Sequence, residues 1–213
     1  MQHWRRQLLE AVTPLESGVR GLHISGFRPD RQDDYRPGKT AAVLVPFLDL
    51  PEPELVLTRR ADHLPHHPGQ VSFPGGAAEE NDDSAVQTAL REAHEEIGLP
   101  SESVRPIGFL DRMDTISDFR VLPVVALVKP PVTWIPDERE VAEVFTVPVS
   151  VVLDGSRYRS RVFERDGFSQ TIYSLQWNGQ NIWGVTASML MNLIDRLEAV
   201  RERENSGISA AAE

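Results

Sequence analysis

Apolar side chains recur at three- and four-residue intervals between Ser84 and Ile97, where Val86, Ala89, Leu90, Ala93 and Ile97 mark one face of a helix. Asp82, Asp83 and Ser84 offer capping oxygens at its start, and Gly98 offers a stop. This is the sharpest periodic signal in the chain. Trp4, Leu8, Leu9 and Val12 draw a shorter helical stripe over residues 3–12, and an amphipathic helix is predicted from Thr186 to Glu202.

Between these stripes the pattern turns β-prone. The runs Ala41–Leu50 and Leu55–Thr58 flank turn-forming residues at Pro51-Glu52-Pro53 and predict a strand pair. Val71-Ser72-Phe73 predicts a strand that ends at Pro74-Gly75-Gly76, where glycine permits unusual backbone angles. Further strands are predicted at Val104–Leu110, Val121–Val128, Val141–Val147 and Arg161–Phe163, and Thr171–Trp177 and Ile182–Val185 flank Asn178-Gly179 as a hairpin. Strands with one helix after the third and another at the end predict an α/β fold, a three-layer α/β/α sandwich around a mixed β-sheet. The chain divides into an N-terminal helix and connecting arm packing on the domain (residues 1–39), the main domain (40–203) and a disordered tail (204–213).

Length and composition suit this division, since 213 residues with 40% apolar content bury one substantial core. A formal charge of −10 removes any global attraction toward nucleic acid or anionic lipid. An anionic substrate would therefore be held by local cations or by metal. The lack of cysteine excludes disulfides, thiolate nucleophiles and cysteine-ligated zinc. Without a signal-peptide pattern or an apolar run of membrane-spanning length, the expected location is the cytoplasm. The oligomeric state is left open, a homodimer included.

The candidate chemistry lies in Arg91-Glu92-Ala93-His94-Glu95-Glu96-Ile97-Gly98-Leu99. On a helix, Glu92, Glu95 and Glu96 stand at i, i+3 and i+4, so their carboxylates crowd together opposite the apolar stripe. Such crowding costs roughly a few tenths of a kcal/mol per pair, and a bound divalent cation would reverse it. Oxygen donors of this kind suit Mg²⁺ or Mn²⁺, with Arg91 able to orient them. Three glutamates on an amphipathic helix are usually a solvated face. Here a strand, a glycine turn and an acidic loop precede the helix, an order that would bring a backbone carbonyl beside the carboxylates.

These residues resemble the Nudix box, G-x5-E-x7-R-E-U-x-E-E-x-G-U, at Gly76, the acidic loop, Arg91-Glu92, Glu95-Glu96 and Gly98-Leu99. The chain departs from it in three ways. Gly76 to Arg91 is one residue longer, Asp82 or Asp83 takes the acidic position of the loop, and Ala93 replaces a bulky aliphatic. Upstream, Leu57 to Gly76 is similar to L-L-T-x-R-[SA]-x-x-L-R-x-H-x-G-x-V-x-F-P-G-G, the signature of the coenzyme A pyrophosphatase branch, with Pro65 where that branch has arginine. Trp183-Gly184-Val185-Thr186-Ala187 resembles a later stretch of the same branch.

The resemblance implies a Nudix-type α/β/α sandwich and Mg²⁺- or Mn²⁺-dependent hydrolysis of coenzyme A to 3′,5′-ADP and 4′-phosphopantetheine. The same chemistry on ADP-ribose or NADH, or a non-catalytic nucleotide-binding module, are the alternatives. Glu92 and Glu96 are the expected principal ligands, Glu95 a ligand or orienter, and the Gly75 carbonyl a further donor. One of Glu92, Glu95 and Glu96, or a downstream acid such as Glu140 or Glu143, could supply the general base. Arg59 and Arg60 could meet the 3′-phosphate or simply face solvent, and His67 could contact phosphate or cap its loop. Irregular spacing argues against zinc at His63, His66 and His67. Trp177 and Trp183 are expected in the core of the hairpin rather than as a base-stacking platform.

Overall fold

The computed structural model describes residues 2–19, 22–26, 38–115, 117–165 and 168–210. Parts of the expected connecting arm, at 20–21 and 27–37, and the end of the expected tail, at 211–213, lie outside the described residues.

The centre of the molecule is β8 (Phe119–Val128), which pairs in parallel with β2 (Lys39–Leu48) over ten residues, from Lys39↔Phe119 to Leu48↔Val128. A strand covered on both faces reads as a continuous apolar run, and Val121 to Val128 is one. The period of two then divides its side chains between two cores. Leu122, Val124, Ala126 and Val128 join Ala42 and Leu44 of β2 under one helical layer, while Val121, Val125 and Leu127 join Val45 and Phe47 under the other.

Around this pair the described residues form a nine-stranded mixed sheet. Its path runs β1 (Ile24–Gly26), β7 (Arg112–Asp114), β8, β2, β3 (Glu54–Arg60) and β4 (Val71–Ser72), with β5 (Gly75–Ala77) beside β2, β6 (Val104–Phe109) beside β8 and β9 (Val141–Pro148) beside β3. Helix α2 (Ala85–Ile97) covers one face through Ala89, Ala93 and Ile97. The other face is covered by α1 (Gln2–Ala11) through Leu8 and by α4 (Gly184–Ala210) through Leu190, Leu193 and Leu197, with the short α3 (Val149–Val152) adding Val149 and Val152. A separate antiparallel sheet, β10 (Arg159–Arg165), β11 (Phe168–Trp177) and β12 (Gln180–Trp183), turns at Asn178-Gly179 and presses Leu175 and Ile182 into the α4-side core. The fold is the α/β/α sandwich that the pattern predicts.

Several elements differ from expectation. The pair β2–β3 is short, limited to Phe47↔Leu55 and Leu48↔Glu54, because β3 spends its length against β9. Val185 belongs to α4 rather than to the hairpin, since Gly184 turns left-handed at φ 63° and starts the helix. The stretch 204–210, expected as a disordered tail, is helical, and its first residue is anchored. Glu204 pairs with Arg6 and accepts a hydrogen bond from the Gln7 amide at 2.8 Å, which ties the end of α4 to α1.

Candidate active site

Helix α2 opens with Ser84, whose hydroxyl accepts the Gln87 N–H at 3.2 Å, and it closes on Gly98 at φ 65°. Its carboxylate face meets the two-glycine turn that leads into β5. A Cβ on Gly76 would fall 2.5 Å from Glu92 Oε1, so the Glu92 carboxylate rests on the bare Cα. At Gly75, with φ 154°, a Cβ would fall 2.5 Å from the Ala42 carbonyl oxygen. Only glycine lets this backbone approach so closely. The Gly75 N–H also donates to Glu96 Oε2 at 3.1 Å.

Arg91 is the hub beside this turn. Its Nε and Nη2 grip the two oxygens of Asp82 at 3.2 and 3.0 Å, Nη2 also donates to the Ala77 carbonyl at 3.0 Å, and Nη1 is shared between Glu92 at 3.1 Å and Glu95 at 3.0 Å. A planar guanidinium suits such a fork. Asp82 is in turn held by the hydroxyl of Thr88, a fully buried residue, at 2.9 Å and by the Glu79 N–H at 2.9 Å. The loop acid is therefore Asp82, while Asp83 uses its N–H to bond Gln87. Hydrogen bonding to Arg91 holds the Asp82 carboxyl well below the usual carboxylate range.

The two inner glutamates shift in the same direction. Glu96 is 5% exposed, and burial pushes its carboxyl up to about 8, with the nearby charges of Glu92 and Glu140 adding to the rise and the Gly75 N–H and Arg60 opposing it. Glu92 is raised by burial as well, against the pull of Arg91. Glu95 is turned outward, its side chain 57% exposed on Arg91. Among the described residues no three acidic or imidazole side chains converge as a ready metal cage. The donor set nevertheless fits a hard divalent cation, because a buried and a half-buried carboxylate that repel each other are oxygen ligands whose ionisation such a cation would restore.

Glu140 reaches this cluster through the backbone. The Ile135 N–H bonds the Ile97 carbonyl at 3.0 Å and the Asp137 N–H bonds the Glu96 carbonyl at 2.9 Å, so the end of α2 carries the turn on which Glu140 sits. Glu143 does not join it. Its carboxylate lies 3.6 Å from Arg59 and accepts the Gln180 amide at 2.8 Å. The alternation of β3 separates the two arginines in the same way. Arg60 acts on the charge of Glu96, its buried Nε without a hydrogen-bond partner among the described residues, whereas Arg59 pairs with Asp62 and Glu143.

The loop from Ala61 to Gln70 docks on the same turn. The Ala61 N–H bonds the Glu140 carbonyl at 2.9 Å, and His63 Nε2 lies 3.0 Å from the Arg139 carbonyl. His67 is exposed at φ 56°, where its carbonyl accepts the Gln70 N–H, so its backbone shapes the loop. Trp177 packs against the core as expected. Trp183 does not, since Ile182 takes the inward position and the next residue must face out, 37% exposed.

Sequence reasoning missed Thr88 and Thr186. Thr88 stands on the helix like any small polar residue, and Thr186 donates to the Val71 carbonyl at 3.0 Å, tying α4 to the strand before the glycine turn. Thr88 leaves no local signal, and Thr186 lies in the Trp183–Ala187 stretch, whose resemblance does not specify this bond.

The NUDIX domain profile matches residues 38–166. The chain is 42% identical over 159 residues to the uncharacterized Nudix hydrolase NudL of Yersinia pestis, covering 75% of this chain and 80% of that protein. Among solved structures it resembles the Nudix hydrolase RenU of M. smegmatis, at 26% identity and TM-score 0.43 over 55% of this chain and 74% of that one. It also resembles the Nudix domain of Shewanella oneidensis NrtR, solved with ADP-ribose, at 18% identity and TM-score 0.42 over 60% of this chain and 81% of that one. With the box on α2, the glycine turn beneath it and a relative this similar over most of its length, the chain belongs to the Nudix family and is a Nudix hydrolase.

Proposed function

We propose that this Nudix hydrolase cleaves the diphosphate of coenzyme A or acyl-CoA, releasing 3′,5′-ADP and the (acyl-)4′-phosphopantetheine. The observation that carries the reading is where the second motif sits. The Leu57–Gly76 stretch, similar to the coenzyme A pyrophosphatase signature, forms β3, the docked loop and the glycine turn, and so borders the carboxylates on two sides.

Glu92 and Glu96 would hold Mg²⁺ or Mn²⁺, with the Gly75 carbonyl and Glu95 as further oxygen donors. The metal would neutralise the diphosphate and activate water. The protein's own groups do the rest. Asp82 and Thr88 hold Arg91, and Arg91 Nη1 fixes the directions of Glu92 and Glu95 by bonding both. Glu140, whose charge adds to the rise at Glu92 and Glu96, is the better candidate for the general base, because Glu143 is engaged by Arg59 and Gln180. Arg60 brings a cation to the place where phosphate charge would gather. Arg59 would have to leave Asp62 and Glu143 to meet the 3′-phosphate, and His67 stands at the exposed rim of the loop.

Incubating purified protein with coenzyme A and Mg²⁺ or Mn²⁺ is expected to release 3′,5′-ADP. Inertness toward coenzyme A with both metals, alongside cleavage of ADP-ribose or NADH, would reassign the substrate. Inertness toward all three would point to a binding module instead.

A further inference from the structure

The outer face of the β10–β12 sheet carries a second constellation, unrelated to the box. Register places Arg159, Ser174 and Trp183 in one row and Arg161 beside Ile172 in the next, all on one face, while Leu175 and Ile182 fill the core from the opposite face. These residues and Asn181 line an open groove of about 480 Å³, a volume in the ordinary range for small-ligand sites.

The chemistry of the groove is specific. Trp183 presents an indole to water where a sheet surface normally carries polar side chains. Arg159 and Arg161 stand two residues apart on one strand, roughly 6 to 7 Å along it, and neither makes an ion pair or a side-chain hydrogen bond among the described residues. Their neighbour Arg157, by contrast, is taken by Asp154. Two uncommitted guanidiniums beside an exposed aromatic ring, in a chain of net charge −10, are complementary to a ligand that is both flat and anionic.

We propose that this face binds a nucleotide, its purine stacked on Trp183 and its phosphate held by Arg159 and Arg161. Ser174 and Asn181 supply polar groups at the edge of the base. Thr186, three residues beyond Trp183, is bonded to Val71 in the strand that runs into the glycine turn, so the face is tethered to the catalytic side of the molecule. The ligand is either the nucleotide end of the diphosphate substrate or a free nucleotide. The recognition chemistry is the same for both.

The test follows the indole N–H signal of Trp183 by NMR in the full-length protein, kept with EDTA so that no hydrolysis occurs, and assigned with Trp183→Phe. AMP is expected to shift that signal saturably, with adenosine alone or inorganic phosphate alone binding at least about tenfold more weakly. Arg159→Glu and Arg161→Glu are expected to weaken AMP by a similar factor while leaving the circular dichroism unchanged, since both side chains are exposed. An unmoved Trp183 signal, or AMP binding that survives both reversals, would overturn the proposal. The sources separate in steady-state kinetics of the same variants. A raised KM at unchanged kcat identifies the substrate's nucleotide end, and an unchanged KM alongside lost AMP binding identifies a separate nucleotide. Because the titration needs no turnover, its result stands apart from the outcome of the coenzyme A assay.

Discussion

Glu96 is the residue where burial and chemistry meet. Its carboxyl, carried from 4.5 to about 8, binds a proton more tightly in the folded chain than in the unfolded one. The stability this proton supplies is complete below about pH 4.5 and is lost as pH rises through about 8, on the order of a few kcal/mol for a group so enclosed. Metal-free protein is therefore expected to lose thermal stability across that interval, and Mg²⁺ or Mn²⁺ is expected to return it at the upper end. Melting curves against pH, with and without EDTA, measure this. Glu96→Gln, which mimics the neutral form, should flatten the metal-free profile and lower turnover by orders of magnitude. Near-wild-type turnover in that variant would remove Glu96 from the ligands.

At the scale of elements, the site is a helix set against a strand that starts with two glycines, and the two are not equivalent. A methyl group on Gly76 meets the movable end of Glu92, whereas one on Gly75 meets the backbone of β2. Gly76→Ala is accordingly expected to fold with little loss of stability and to lose metal affinity and turnover by at least about tenfold, as Glu92 rotates away. Gly75→Ala, strained at its φ and blocked by main chain, should cost more than about 1 to 3 kcal/mol of folding stability. Urea midpoints and metal titrations of the two variants distinguish the cases; equal behaviour would mean that the turn relaxes as a unit. The box itself was legible because its residues lie within a helix and a half-turn of one another, where spacing maps directly onto geometry. Asp82 was legible only as one of two neighbours, since which aspartate meets Arg91 depends on the path of the loop.

Across the whole molecule, the N-terminal segment is part of the core rather than an attachment. Leu8 is fully buried, Trp4 packs edge-on to Phe47 with ring centres 5.5 Å apart, and Arg6 and Gln7 hold Glu204. Leu8→Ala is expected to cost about 2 to 5 kcal/mol and to leave a single unfolding transition, seen alike by circular dichroism and tryptophan fluorescence. Two separated transitions would show that α1 folds independently of the sandwich. The long end of α4 follows from the same contact. Its polar composition reads as a frayed tail, and only the partner helix 197 residues away in sequence makes Glu204 worth ordering.

What the sequence determined alone was whatever depends on neighbours along the chain. The period of apolar residues set the helices and most strands, the spacing of Glu92, Glu95 and Glu96 set a carboxylate face, and Gly75 set a backbone conformation that other residues adopt only under strain. Tertiary structure decided the pairings between distant segments. It chose β9 rather than β2 as the main partner of β3, sent Arg60 and Arg59 to opposite faces, brought Glu140 in and left Glu143 out, and turned Trp183 away from the core. Each of these depends on which strand lies alongside and on which face is already filled, and packing of that kind leaves no periodic trace in the local sequence.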